Sequence, residues 1–335
     1  MVQRRRMRFT GLSPLGIVRR WTPRNALAMF PARMIARQTS YMLKSTPFIR
    51  GRKPKRVYGS LGGLEVRLAR TRADIRLAQR LRYQVFYEEM SAVPNAKAML
   101  SRRDSDRYDK LCDHLLVIDN DTPLYWKGGW RRRGKVVGTY RVLRQDLAER
   151  NGGFYTQAEY DIAPLVAARP GYSFMELGRS CVLKPYRTKR TVELLWHGLW
   201  TYIREHGIDV MIGCASFEGT DPGAHRMALS FLHHYALAPP EWRVKAHKKR
   251  YVDMNLLPKD QVNAKAALKE LPPLIKGYLR LGATIGDGAV IDNQFGTIDV
   301  CIILPVEKID VRYFAHFGTP DETTSRLTQD AKGLM

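Results

Sequence analysis

Four short blocks of the chain carry, in order, the residue types that acid–base and ionic chemistry needs. Leu81–Glu89 reads as a helical turn with Arg82 and Phe86 four apart. Asp104–Asp109 sets Asp106 and Asp109 three apart and runs on to Asp113 and His114. Val137–Leu143 carries Arg141, and Met175–Val182 carries Glu176 and Arg179. Glu176 stands in the apolar run Phe174–Leu183, where burial would raise its pKa toward that of a useful general base. The competing role for Glu176 is an ion pair with Arg179 or Arg141. Asp104 suits a solvated loop or a helix cap, and His114, opening an apolar strand, suits a core histidine with its hydrogen bonds met. Cys181 has no visible partners for nucleophilic work and reads as a buried thiol. His233-His234 lacks metal-ligand spacing, Gly286-x-Gly288 lacks the rest of a dinucleotide fingerprint, and Trp196 and Trp200 read as helix core.

The elements that must position these residues follow from periodicity. Leu64–Ala69 alternates as a strand, and Thr71 can cap a helix whose apolar stripe runs through Ile75, Ala78, Leu81, Arg82, Val85 and Phe86. A charged loop spans Ser101–Lys110. Strands are expected over His114–Ile118 and Val136–Leu143, with the basic, Gly-containing stretch Lys127–Lys135 as the hairpin connection. A central strand, Phe174–Leu183, leads into a helix with Val192, Leu195, Trp196, Leu199, Tyr202 and Ile203 on its apolar face. Further strands are expected over Val210–Ala215, Val244–Met254 and Ile298–Leu304. Pro272-Pro273 opens a helix over Leu274–Leu281, and a Gly-rich turn follows it. This order is α+β, without regular βαβ alternation or internal repeats.

Charge is the unusual bulk property. Lys and Arg number 56 against 32 Asp and Glu, a formal net charge of +24, which calls for an anionic partner. Fifteen Lys and Arg precede the first acidic residue, Glu65, so much of the excess sits in a leading arm. Within it, Asn25–Leu43 suits a helix lying in an anionic lipid interface, with a featureless tail or a transit peptide as competing readings. Four separated cysteines, Cys112, Cys181, Cys214 and Cys301, fit buried reduced thiols. No apolar run approaches the roughly 20 residues that cross a bilayer. Arginines interrupt anything resembling a secretory signal, so a cytoplasmic protein is expected. Charge alone would equally suit a non-catalytic binder of nucleic acid or anionic lipid.

The four blocks resemble the acyl-homoserine-lactone synthases, through Arg82, Phe86, Asp106, Asp109, Gly138, Arg141, Glu176 and Arg179. Gly178 in place of serine, and the lack of a Trp after the first helix, depart from that branch. The chain more closely resembles the bacterial ornithine-lipid N-acyltransferases, over roughly residues 64–317. Three stretches carry this: Glu176–Val182 running into Tyr186-Arg187; Gly213-Cys214-Ala215-Ser216-Phe217 leading to Gly219-Thr220-Asp221-Pro222; and Leu271–Gly282.

The resemblance implies an acetyltransferase-like (GNAT) fold, a central mixed sheet flanked by helices, with a C-terminal extension. Boundaries are expected as a basic arm over 1–60, the acyltransferase domain over 61–255, the extension packed on it over 256–318, and a disordered tail over 319–335. It implies amide formation: a 3-hydroxyacyl chain passes from acyl carrier protein to the α-amine of ornithine, giving lyso-ornithine lipid. Glu176 would take the amine proton. Asp106 and Asp109 would hold an ammonium group, Arg82 or Arg141 would grip the carboxylate, and Phe86 and Arg179 would complete the substrate site. The turn Arg187-Thr188-Lys189-Arg190 lacks the glycines that cradle a coenzyme A pyrophosphate. Arg187, Lys189 and Arg190 instead suit the single phosphate of 4'-phosphopantetheine on an acidic carrier protein, with a solvated basic turn and a coenzyme A thioester donor as the competing readings. No cofactor or metal is expected to be bound and no specific nucleic acid partner. The expected location is the cytoplasmic face of the inner membrane, held peripherally by anionic lipid. Rival acceptors are another amino acid or a lactone-forming substrate.

Overall fold

The computed structural model describes residues 57–309, apart from positions 91, 123, 127, 128, 132 and 133. The basic arm up to residue 56, its helix at 25–43 and the tail at 319–335 lie outside the described residues. The last residues assigned to the arm belong to the fold. Tyr58 is buried and donates its hydroxyl to Glu205, and β1 (Gly59–Leu61) forms a hairpin with β2 (Leu64–Leu68).

Thr71 caps α1 (Arg72–Tyr83) in a reciprocal box with Asp74, and the helix runs on through a π-helical turn, Gln84–Glu89. Then come α2 (Ala96–Ser101), β3 (Asp113–Asp119), a small separate hairpin of β4 (Leu124–Trp126) and β5 (Gly129–Arg131), and β6 (Lys135–Arg144). Two short helices, α3 (Gln145–Arg150) and α4 (Ala163–Ala167), precede β7 (Phe174–Val182). The amphipathic α5 (Lys189–His206), capped by Thr188, leads to β8 (Val210–Glu218) and α6 (Arg226–Phe231). The chain closes with β9 (Tyr251–Val252), α7 (Ala264–Glu270), α8 (Pro273–Arg280), β10 (Thr284–Asp292) and β11 (Thr297–Pro305).

Nine strands make one sheet in the order β1-β2-β3-β6-β7-β8-β11-β10-β9. The segment expected as an extension over 256–318 is therefore not a layer packed on a finished domain. Its β11 pairs with β8 from Thr297↔Glu218 to Pro305↔Val210, and every residue of β11 is buried. Such unbroken burial marks a strand covered on both faces. The strand expected over Val244–Met254 shortens to Tyr251–Val252, and the Gly-rich turn proves to be β10. Gly288 has φ +84°, and a Cβ there would come within 2.4 Å of the Tyr251 ring, so glycine here serves a strand irregularity.

All neighbouring strands of the large sheet run antiparallel except β7 and β8. These two pair only from Phe174↔Val210 to Glu176↔Ile212 and then part, although each is nine residues long. Two features sit at the fork. Gly213 approaches β7 so closely that a Cβ would stand 2.2 Å from the Leu177 carbonyl oxygen. Arg179 adopts φ +52° beside a register shift against β6, a bulge with a left-handed residue that costs about 1–2 kcal/mol. We expect Gly213→Ala to lower stability by about 1–3 kcal/mol in urea unfolding. Gly277→Ala, with nothing within 4 Å of its added carbon, should be neutral or slightly stabilising.

Candidate active site

The fork opens a cavity of about 550 Å³ between β7 and β8, closed below by the last paired residues and rimmed by the π-helical turn and α8. Glu176 occupies the last paired position of β7 and is 5% exposed. The turn before α4 holds its carboxylate: the Tyr155 and Thr156 amides each donate at 2.7 Å, and the Thr156 hydroxyl donates as well. Burial pushes the Glu176 pKa up, and these bonds offset the rise only in part. A carboxylate has roughly four acceptor positions, so three donors fix it and leave one for a ligand. Neither arginine expected as its ion-pair partner bonds to it among the described residues.

Arg82, Arg141 and Arg179 meet Asp104, Asp106 and Asp109 in a buried network. Arg82 Nε lies 2.8 Å from Asp104 and its Nη2 2.9 Å from Asp109. Arg141 Nη1 spans Asp106 at 2.7 Å and Asp109 at 3.2 Å. Arg179 reaches Asp104 at 3.3 Å and Asp106 at 3.6 Å. Burial would raise the Asp109 carboxyl, but Arg82, Arg141 and a bond from Gln79 overcome this and hold it at about 2. Arg82 and Asp109 are buried and Asp106 is about a quarter exposed; none of the three lines the cavity, and the aspartate oxygens are taken by arginines. The roles expected for Arg82 on a carboxylate, and for Asp106 and Asp109 on an ammonium group, therefore give way to a structural one. The reason is helical: Arg82 shares the buried stripe of Ala78 and Val85. His114 likewise stays in the core, its Nε2 3.0 Å from the Asp109 carbonyl oxygen.

Arg141, Arg179 and Phe86 do reach the cavity. Arg179 lies between the rings of Tyr155 and Phe295, at 4.8 and 4.6 Å from their centroids, and Phe86 meets Phe295 edge-on at 5.7 Å. Cys181 is also at the wall, but burial pushes its thiol up to about 12, which rules it out as a ready nucleophile.

The cavity also has an acidic end, which no sequence motif marks. Asp292, Asp299 and Glu218 line it, with Glu159 behind. Single ligand atoms of Glu159, Cys214 and Asp299 lie within 4.8 Å of one another. Cys214 donates to Glu159 at 3.3 Å, Thr297 to Asp299 at 2.8 Å, and Arg250 stands 3.2 Å from Glu159. Burial, then the charge of Asp299, pushes Glu159 up to about 7, and burial also raises Asp299. The arrangement suits a cation that would lie among these groups. Its readable signal was Asp299 itself, an acid inside an otherwise apolar strand.

The Acetyltransferase (GNAT) domain family matches residues 81–197. The L-ornithine Nα-acyltransferase of Brucella abortus (strain 2308) is 53% identical over 262 residues, 78% of this chain and 91% of that one. That of Agrobacterium fabrum (strain C58) is 53% identical over 262 residues, 78% and 87% of the two chains. The chain belongs to the L-ornithine Nα-acyltransferase family. A namesake from Rhodobacter capsulatus is 40% identical over 249 residues, 74% of this chain and 92% of that one. Among solved structures, FeeM, an N-acyl amino acid synthase from uncultured soil microbes, is similar with a TM-score of 0.41 and 10% identity, over 73% of this chain and 91% of that chain.

At the other rim of the acyltransferase's cavity stands Arg187, ion-paired with Glu89 and donating to the Val182 carbonyl at 2.9 Å. Lys189 and Arg190 open α5 in solvent and do not line the cavity.

Two outcomes follow from the charges. Arg82→Met leaves buried Asp104 with only Arg179 and buried Asp109 with only Arg141 as cationic partners and should cost about 3–5 kcal/mol in urea unfolding, whereas Lys189→Ala should cost nothing measurable. Glu159 keeps its proton in the fold to about 7 against an ordinary 4.5. The folded chain thus holds a proton that the unfolded chain has released, and this stabilisation is complete below about 4.5 and lost as pH rises through about 7. Thermal melts between about pH 5 and 8 should show a smaller pH-dependent loss in Glu159→Gln than in the parent.

Proposed function

We propose that this acyltransferase moves a 3-hydroxyacyl chain from the phosphopantetheine thiol of acyl carrier protein to the α-amine of ornithine, giving lyso-ornithine lipid. One observation carries the reading: a buried, raised-pKa carboxylate, Glu176, sits at the fork of two strands between an arginine wall and an acidic end. Beyond Glu176 the edge of β7 is free of β8, so an extended pantetheine arm can lie along it as a further strand would. Arg187, beside that opening, and Lys189 and Arg190, on the exposed first turn of α5, suit the arm's phosphate and an acidic carrier.

Ornithine brings two ammonium groups and a carboxylate. Its side-chain ammonium lies among Asp299, Asp292 and Glu159, and its carboxylate meets Arg179, the arginine held at the cavity wall by aromatic rings. The α-amine is then directed toward Glu176, which removes a proton directly or through one water. The freed nitrogen pair attacks the thioester carbonyl. As the tetrahedral adduct collapses the C–S bond breaks, the nitrogen's second proton passes to the departing thiolate, and the amide remains; Glu176 then releases to water the proton it took. Phe86 and Phe295 offer the acyl chain an apolar wall. Among the described residues no helix is long and apolar enough to cross a membrane. We place the enzyme peripherally on the anionic cytoplasmic leaflet, where its one-chained product partitions.

Purified protein with 3-hydroxyacyl carrier protein and single amino acids, read by mass spectrometry, tests this. Acyl ornithine should form, and Glu176→Gln should slow it by roughly 10²–10⁴-fold. Asp299→Asn should raise the ornithine KM on the order of 10- to 100-fold, as expected for one charged hydrogen bond. It should also erase the preference for ornithine over norvaline, which lacks the side-chain amine. Equal use of ornithine and norvaline by the parent protein would refute the acidic-end assignment.

A further inference from the structure

Half of the large apolar side chains that stand exposed in the described part of the chain crowd into eleven residues. Met90, Val93, Met99 and Leu100 are 38%, 64%, 58% and 89% exposed. Met90 and Val93 precede α2 and Met99 and Leu100 lie on it; its start is fixed by Asn95 accepting from the Ala98 amide at 2.9 Å and its end is the left-handed Arg102. The segment is not a loose loop. Ala92 and Ala98 are buried, the Val93 amide donates to the Gln294 carbonyl, and the Asp104 amide to the Gln79 carbonyl. The fold therefore holds Met99 and Leu100 out in water on an anchored support.

Two further features say what covers this tip. Lys97 and Arg102 are exposed on the same projection, Arg102 keeping most of its side chain in water although it pairs with Glu88, and Arg103 is half-exposed, so apolar side chains stand among cations. The projection is also continuous with the cavity, because Phe86, Glu89, Met90 and Ala92 line its mouth. Apolar tips among basic side chains match the two layers of an anionic leaflet, acyl chains beneath phosphates.

We propose that residues 90–103 form a lipid-docking tip: Met99 and Leu100 insert among the acyl chains of an anionic membrane while Lys97, Arg102 and Arg103 meet its phosphates. The cavity mouth then faces the bilayer, and an acylated product passes into lipid without crossing water. That last clause rests on the acyl-transfer reading; the docking itself does not.

The test uses the full chain carrying Leu100→Trp, with emission taken as the difference from the parent, and vesicles containing phosphatidylglycerol or only phosphatidylcholine. Lipids brominated on their acyl chains should quench the new tryptophan in the phosphatidylglycerol vesicles and leave it unquenched in the neutral ones. Met99→Asp combined with Leu100→Asp should reduce partitioning onto phosphatidylglycerol vesicles about tenfold. Turnover with dispersed substrates and no vesicles should be unchanged, since neither residue lines the cavity. No bromolipid quenching would overturn the proposal. A spectral shift on adding acyl carrier protein, again without quenching, would overturn it in favour of a carrier-docking surface. Quenching in a preparation that acylates no amino acid would uphold the tip while refuting the acyl-transfer reading.

Discussion

A parallel pair of strands ordinarily stays hydrogen-bonded along its length, because each unpaired main-chain group left away from water costs about as much as a lost hydrogen bond. In this chain β7 and β8 pair through Glu176 and Ile212 and then separate. Gly213 presses a bare backbone against the Leu177 carbonyl at the point of separation, and the left-handed Arg179 turns β7 away beyond it. The cavity, the open strand edge and the placing of Glu176 at their apex all follow from that parting. The cost of leaving the edge uncovered is best offset by a ligand with amides of its own. The fold thus turns a local defect in a ladder into an open strand edge at the cavity.

The three-arginine, three-aspartate network holds the parting in shape. Buried ion pairs seldom stabilise more than well-packed apolar residues would, yet breaking one leaves a stranded charge. Here the pairs tie α1 through Arg82, the Asp104–Asp109 loop, β6 through Arg141 and β7 through Arg179 into one electrically neutral unit. Arg179, the strained member, is bonded on one side and stacked between rings on the other. The network thus keeps a costly backbone conformation in place and turns a guanidinium toward the cavity.

Much of this architecture was legible in the sequence because it rests on local rules. Alternation marked Leu64–Leu68, the Thr71 cap opened α1, and the apolar run around Glu176 disclosed both β7 and the buried acid. Long-range placement was harder to read. The acids at Asp106 and Asp109 resemble a cation site in one dimension, and only the fold shows arginines already beside them. Arg82 carried its own warning, since its spacing from Ala78 and Val85 put it on the buried stripe. Asp299 was hidden by the apolar character of its neighbours, and Glu159 lies in the irregular stretch before α4, where no period marks a side chain's direction. The glycines at 286 and 288 read as a turn, whereas they serve a strand under Val244 and Tyr251.

In the proposed reaction the α-amine of ornithine meets the acyl donor at Glu176, with the acceptor's ammonium among the acids and the donor's arm between the parted strands. A crystal structure with ornithine and a non-hydrolysable amide analogue of 3-hydroxyacyl phosphopantetheine tests it most directly. We expect the α-nitrogen about 3 Å from Glu176 or one water away, the side-chain ammonium on Asp299, and the pantetheine alongside β7 beyond Glu176. Ornithine seated on Asp106 and Asp109, or a donor arm outside the fork, would contradict the account.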